Sequence, residues 1–377
     1  MVELEELDAS GRFTNFGPIN QRFEDAMVSR VFGGVGGCMT VSNATLGLIL
    51  AVRDAVGEGR TQRRYALMPS FTFAAAAQAT LWCGLTPLFC DIDENTWCAS
   101  ANAEEELLWR YRDEIAVVMP YAAFGYSIDL ARYERVTERY GIQVVVDAAA
   151  SLGSVDGSGR GFGAGSRQPV VFSMNATKPF ATFEGGLIYC ADAPKLARLR
   201  AMANFGFTEP RVATLPGLNA KLPEIGALIG LAKLGEFDEV MRHREFLAQR
   251  YSANLPGWTF QHRRGLRTAH AFMPVLLPRR SASHRDMVLE RLAERGIGAA
   301  AYFSPHLAEQ PYFRDRSVRG DLRVTEDVGQ RMLSLPISDG LTVEDVDWIC
   351  AVLRACVGQL PEGDAVSLGE FKAARRR

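Results

Sequence analysis

GIQVVVDAAA at residues 141–150 and VVFSMNATKPFATFEGGLIYC at residues 170–190 each place a short valine-rich run directly before a polar turn. A strand buried on both faces reads as a continuous apolar run, whereas a one-sided strand alternates. Gln143–Val146, Val170–Ser173 and Gly186–Cys190 are runs of the continuous kind. Upstream, the same strands recur at Tyr65–Met68, Pro87–Cys90 and Ile115–Pro120. Helical patterns at residues 44–56, 72–83, 102–113 and 129–140 separate them. This alternation predicts an α/β fold with a mostly parallel sheet and helices on both faces, where ligands sit beyond the carboxyl ends of strands.

Past residue 222 the character changes. Residues 222–252 read as one long helix or two joined ones, followed by a strand at Ala271–Leu277 and helices at residues 283–295 and 342–356. The expected division is a large domain at 1–240, including an N-terminal arm, and a smaller α+β domain at 241–377 ending in a flexible basic tail, Arg375–Arg377.

The 377 residues carry 42 Lys+Arg against 44 Asp+Glu, and this near-neutral balance offers no field for a nucleic-acid backbone. No run approaches the ~18 apolar residues of a membrane span, and the acidic start Met-Val-Glu-Leu-Glu-Glu is unlike a signal peptide. Seven cysteines, an odd number without a CxxC pair, read as free thiols. A soluble, cytoplasmic protein is expected.

Several motifs have plain readings. Gly33–Gly37 does not complete GxGxxG and precedes a strand, so it reads as a turn. Asp91-Ile92-Asp93 reads as a strand-ending turn, not a cation site. The five histidines form no HxxxH or HxH pair, so no metal site is expected. Ser42, Asn43 and Thr45 either cap the helix that begins at Ala44 or cradle a phosphate there, and alone they favour capping.

Asp147 and Lys178 are more informative. A carboxylate ending a buried strand needs a cationic or proton-donating partner. Lys178 follows the strand 170–173 in a loop of small and apolar residues, and desolvation would make its amine available for Schiff-base chemistry. Taken alone, the pair divides evenly between that role and a surface lysine with a chance aspartate upstream. The full order tips the balance: a phosphate-ready helix start, an aromatic segment at residues 69–73, a strand-end Asp and then a Lys. These are the groups that pyridoxal 5′-phosphate (PLP) requires.

The sequence resembles the DegT/DnrJ/EryC/StrS family of PLP-dependent nucleotide-sugar aminotransferases. The likeness runs from about Phe13 to about Leu353 and rests on TNFGP (14–18), VSNATLGL (41–48), PSFTF (69–73), GLTPLFCDID (84–93), VVDAAA (145–150), FSMNATKPFATFEGG (172–186), GLNAKLPEIGALIG (217–230), AYFSP (301–305) and LSLPIS (333–338). The resemblance implies the aspartate-aminotransferase fold, with a mostly parallel seven-stranded sheet in the large domain. It also implies a homodimer with shared active sites. By position, Lys178 is the Schiff-base lysine and catalytic acid/base, Asp147 holds the pyridine nitrogen protonated, and Phe73 stacks on the ring. Ala44, Thr45 and Ser173 bind the phosphate, and Asn219 reaches the phosphate of the neighbouring subunit's cofactor. The implied reaction moves an amino group from glutamate to a nucleotide-linked keto-deoxysugar.

The chain departs from the family at three places. Ala150 stands where Gln or His is common, Asn175 where His is common, and Asn43-Ala44 where Ser-Gly is usual. Lys178 argues against the dehydratase branch, which carries histidine there. Tyr121, Phe124, Tyr302 and His306 are substrate-entrance candidates by analogy; the plain alternative is loop-packing aromatics and a surface histidine. Arg211 and Lys221 could meet a nucleotide diphosphate or be ordinary surface cations. The other functional readings are a non-catalytic PLP-fold sensor or binding protein, and a PLP enzyme running another reaction on an amino acid.

Overall fold

The computed structural model describes residues 2–57 and 63–359, and the basic tail lies outside the described residues. Among the described residues, eight strands build the main sheet: β1 (Gly37–Val41), β2 (Tyr65–Pro69), β3 (Thr86–Cys90), β4 (Ile115–Val118), β5 (Gln143–Val144), β6 (Val146–Asp147), β7 (Val170–Ser173) and β8 (Gly186–Cys190). They pair in the orders β1-β8-β7-β6 and β3-β2-β4-β5, with a short strand, Val318–Arg319, outside β3. The two runs meet because residues 143–147 serve both neighbours. Val145 N–H donates to Val118 O at 3.0 Å, whereas Val146 N–H donates to Pro169 O at 2.9 Å. All main-sheet pairings are parallel except those of β8, which runs antiparallel to β1 and β7.

Alternate strand residues enter opposite cores, as the period of two requires. Val170, Phe172, Leu187 and Tyr189 face one apolar cluster, while Val171 and Ile188 face the other. The helices covering these faces are α1 (Val2–Ser10), α2 (Pro18–Arg30), α3 (Ala44–Val56), α4 (Ala74–Trp82), α5 (Ala101–Tyr111), α6 (Leu130–Tyr140) and α7 (Ala193–Met202). Asn43, Ser100, Asp129 and Asp192 cap α3, α5, α6 and α7 through side-chain oxygens.

A single helix, α8 (Glu224–Asn254), runs through the expected boundary at residue 240. Its early residues, including Ala227 and Leu234, pack in the first core, whereas Leu247, Ala248 and Tyr251 pack in a third core. That third core also holds the antiparallel strands Thr259–Phe260, Met273–Leu276 and Met332–Leu335 and the helices Arg285–Ala293 and Val343–Gly358. Asp91 turns the chain as expected and does more. Its carboxylate accepts from Val324 N–H at 3.0 Å and from Thr325 N–H and O–H at 2.7 Å each. It thereby caps the helix Arg323–Arg331 from 233 residues away. All seven cysteines are unpaired. Among the described residues no helix is long and apolar enough to cross a membrane.

Candidate active site

Asp147 ends β6, as the sequence implies, and is only 2% exposed. Its backbone is fixed on one side, where Asp147 N–H donates to Pro120 O at 2.9 Å and Asp147 O accepts from Ala122 N–H at 2.8 Å. Its carboxylate accepts from Ala149 N–H at 3.1 Å. Burial pushes the acid up to about 6, against the opposing pull of that N–H and of Lys178. The site therefore holds a carboxylate in want of a cationic hydrogen-bond donor.

Lys178 lies in the loop between β7 and β8. Met174 N–H donates to Gly185 O and Thr182 N–H to Met174 O, both at 2.9 Å, which closes the loop at its base. Higher up, Ala176 N–H donates to Phe183 O at 2.8 Å. Asn175 adds a side-chain clamp, donating to Glu184 at 2.7 Å and accepting from Thr177 N–H at 3.1 Å. Burial lowers the Lys178 pKa, and the Asp147 charge pulls it part of the way back. The two side chains act on each other through space. Lys178 Nζ stands 5.0 Å from the centre of the Phe272 ring. Phe272 comes from the far end of the chain and gave no sequence signal beyond being aromatic.

The helix start is divided in its roles. Asn43 is the cap and accepts from Leu46 N–H at 2.9 Å. The amides of Ala44 and Thr45 fall in the first turn, where a helix has no acceptor of its own. Gly186 lets β8 press against this start, since a Cβ there would come within 2.8 Å of Ala44 N. Ser42 Oγ is buried with no hydrogen-bond partner among the described residues. Ser173 Oγ accepts from Asn175 N–H at 3.3 Å, leaving its own hydrogen free to donate. Phe73 immediately precedes α4 and is 58% exposed. Asn219 is exposed on the segment whose Ala220 O accepts from Ser42 N–H at 2.8 Å.

The remaining candidates separate. Tyr121 is buried beside Asp147, and burial and then that charge raise its phenol. Tyr302 is half-buried, with its ring 4.8 Å from Phe272. Phe124 is sealed in the core, 5.7 Å from Phe303 and 6.1 Å from Phe71, so it lines no entrance. His306 is a buried residue, not a surface one. Its Nδ1 pairs with Ser70 Oγ at 2.8 Å, and its charged neighbours are Glu309, Arg319 and Asp91. His306, Glu309 and Glu326 bring ligand-type atoms within 4.8 Å of one another, a grouping the spacing did not reveal, but Arg319 already pairs with Glu309 at 3.2 Å.

The donor set fits PLP. A carboxylate lacking a cation, an amine with a lowered pKa, an exposed aromatic, and the free amides and orphaned hydroxyl at a helix start match its ring nitrogen, aldehyde, ring face and phosphate. Comparison with known proteins agrees. A family profile described as the DegT/DnrJ/EryC1/StrS aminotransferase family matches residues 1–354. The chain is similar to a Bacillus cereus ATCC 10987 protein assigned to the PLP-dependent aminotransferases, with 38% identity, 95% of each chain covered and a TM-score of 0.87. It is similar to protein Rv3402c of Mycobacterium tuberculosis H37Rv, 34% identical over 91% of this chain and 83% of the relative. It is also similar to DesI crystallised with its TDP-sugar product, with 32% identity, 94% and 89% coverage and a TM-score of 0.84. With a profile match across residues 1–354 and a site that fits the cofactor, the chain belongs to the DegT/DnrJ/EryC1/StrS aminotransferase family and is a PLP-dependent aminotransferase.

Proposed function

We propose that the protein transfers an amino group from glutamate to the keto group of a nucleotide-linked 6-deoxysugar, at C4 or C3, for glycan or natural-product assembly. The observation that carries this reading is the buried Asp147 carboxylate acting on the half-buried Lys178 amine, with each pKa displaced toward neutrality. The TDP-sugar product bound to DesI supports the substrate class.

Bound here, PLP supplies an electron sink for a carbanion at the carbon that gains or loses nitrogen. The protein's work is the rest. Lys178 Nζ takes the proton from the α-carbon of the donor, and in the second half-reaction it delivers one to the sugar carbon. Burial lowers the pKa of that amine and so favours its neutral, basic form. Asp147 holds the proton on the ring nitrogen, and its dry surroundings strengthen that attraction. Phe73 packs on the ring face. Ala44, Thr45 and Ser173 receive the phosphate, and Asn219 adds a donor from the second subunit. Tyr121, beside Asp147, and Tyr302, beside Phe272, would meet the substrate, whereas His306, held inside by Ser70, would not touch it.

A homodimer with shared sites is part of this proposal. Phe13, Phe73, Phe183, Phe205, Leu218 and Ile225 all expose large apolar area, and Phe183 lies in the cofactor loop itself, which favours a second copy as their cover. The unpaired thiols favour a cytoplasmic enzyme. The test is reconstitution with PLP followed by glutamate. The visible absorbance of the holoenzyme should fall, and a nucleotide-linked keto-sugar should restore it while gaining nitrogen by mass. Absorbance that glutamate leaves unchanged would refute the reading.

A further inference from the structure

The Lys178 side chain is tied down at one end only. Its backbone is fixed inside the clamped loop, where Lys178 N–H donates to Asn175 O at 2.9 Å. At the other end, no hydrogen bond or ion pair holds the amine among the described residues; what faces it is the Phe272 ring, with the ring centre 5.0 Å from Nζ. That lies within the ~6 Å over which a cation and an aromatic face attract. The charge that acts on the amine is that of Asp147, through space.

The ring, by contrast, is a fixed surface. It lies 4.8 Å from Tyr302 and meets Phe124 edge-on at 6.2 Å. The segment that delivers it, residues 266–271, is fastened on both sides. On one side Leu266 N–H donates to Val155 O and Val155 N–H to Arg267 O, both at 2.9 Å. Ala269 N–H donates to Ser154 Oγ at 2.9 Å, and that hydroxyl donates to Gly125 O at 2.7 Å. The approach requires Gly125, where a Cβ would lie 2.2 Å from Ala269 O. On the other side α8 holds the segment: His270 Nε2 pairs with Glu245 at 2.9 Å, and Arg244 donates to His270 O at 2.9 Å. The 122–125 turn that receives Ser154 also fixes Asp147, through Ala122 N–H. Ring and acid are thus built on one frame, and the flexible lysine stem is the moving part between them.

An aromatic face attracts an ammonium and has no such hold on a neutral amine. It therefore distinguishes the two states that a proton-carrying lysine passes through. We propose that Phe272 is a positioning residue for Lys178: its ring face docks the ammonium while the lysine carries a proton, and so fixes the place from which that proton is delivered. This rests on the aminotransferase reading above, in which Lys178 takes a proton from the donor carbon and gives one to the sugar carbon.

The experiment places mono-, di- and trifluorinated phenylalanine at position 272. Fluorine draws electron density from the ring face and changes its shape little, so it weakens the attraction without removing the wall. In the apoprotein, trace acetylation of Lys178 is followed against pH by mass spectrometry of its peptide. The midpoint should fall stepwise with fluorine number, by about half a pH unit or more across the series, because the ammonium loses its support. With PLP bound, the maximal rate at which glutamate discharges the visible absorbance should fall in the same order, with half-saturation by glutamate little changed. Phe272→Leu, which keeps an apolar side chain without a ring face, should slow that step by about tenfold, and Phe272→Tyr should recover most of the loss. A midpoint that stays in place across the fluorinated series overturns the proposal, whatever Phe272→Leu does to the rate, since a simple packing role tolerates fluorine. If glutamate fails to discharge the wild-type holoprotein, the amination reading falls by itself, and the acetylation midpoint alone decides the role of Phe272.

Discussion

Replacing Asp147 by Asn should make the apoprotein less sensitive to rising pH, and the size of the effect follows from the burial of the carboxylate. Its pKa is pushed up to about 6 in the fold, against the ordinary 3.8 of an aspartate in water. A raised acid contributes stability that is complete below about pH 4 and is lost as the pH rises through about 6. Some two units at about 1.36 kcal/mol each amount to about 3 kcal/mol, with little solvent screening because the side chain is 2% exposed. Taking about 2.1 cal/mol/K of unfolding entropy per residue, that corresponds to about 4 °C in melting temperature for a chain of this length. Roughly half of it, about 1.4 kcal/mol or about 2 °C, falls between pH 5 and 8, where the fold is easiest to study. The assay is calorimetric or fluorimetric melting of apo wild type and apo Asp147→Asn across that range. The amide carries a fixed penalty of its own, so the readout is the slope with pH, not the offset. Wild type should lose about 2 °C relative to the variant between pH 5 and 8. With PLP bound, the carboxylate gains its cationic partner and the wild-type slope should flatten. Parallel curves for the two apoproteins would refute the argument that Asp147 is held in a dry, uncompensated position.

Lys178→Ala should abolish transamination while leaving the apo fold intact; amino-group transfer within about tenfold of wild type would remove Lys178 from the proton relay. Phe73→Ala should weaken PLP binding by about threefold to tenfold through lost ring contact, measured by absorbance titration, with no change in apo melting because the side chain is exposed. Asp91→Ala should cost about 1–2 kcal/mol by uncapping the helix Arg323–Arg331, seen as a lower denaturant midpoint at unchanged slope.

What could be read without coordinates was whatever is written locally. The continuous valine runs gave the strands, Asn43 the start of α3, and the ends of β6 and β7 the acid and the following lysine. Each depends on residues within a few positions of one another. The long-range partners were out of reach. Phe272 meets Lys178 only because the chain returns from the third core, and Asp91 finds its use at Thr325. His306 was expected at the surface or the entrance and is held inside by Ser70. Phe124, offered as an entrance residue, closes a core of rings from three separate segments. Lys221 shows the limit most directly, because its sequence neighbours do not reveal that the Phe205 ring of the 202–206 segment will cover it. The helices α1 and α2 also went unread, since their apolar positions lack a strong amphipathic pattern.

Val144, Val145 and Val146 are identical side chains, so sliding this central strand by one position would leave the packing on both sides almost unchanged. Asp147 is the residue that would betray the error, because the same slip would swing its carboxylate to the opposite surface of the sheet. An insertion or deletion inside this valine triplet should therefore cost the protein both its grip on the coenzyme and some of its thermal stability, because the displaced carboxylate would face the apolar cluster that holds Val146.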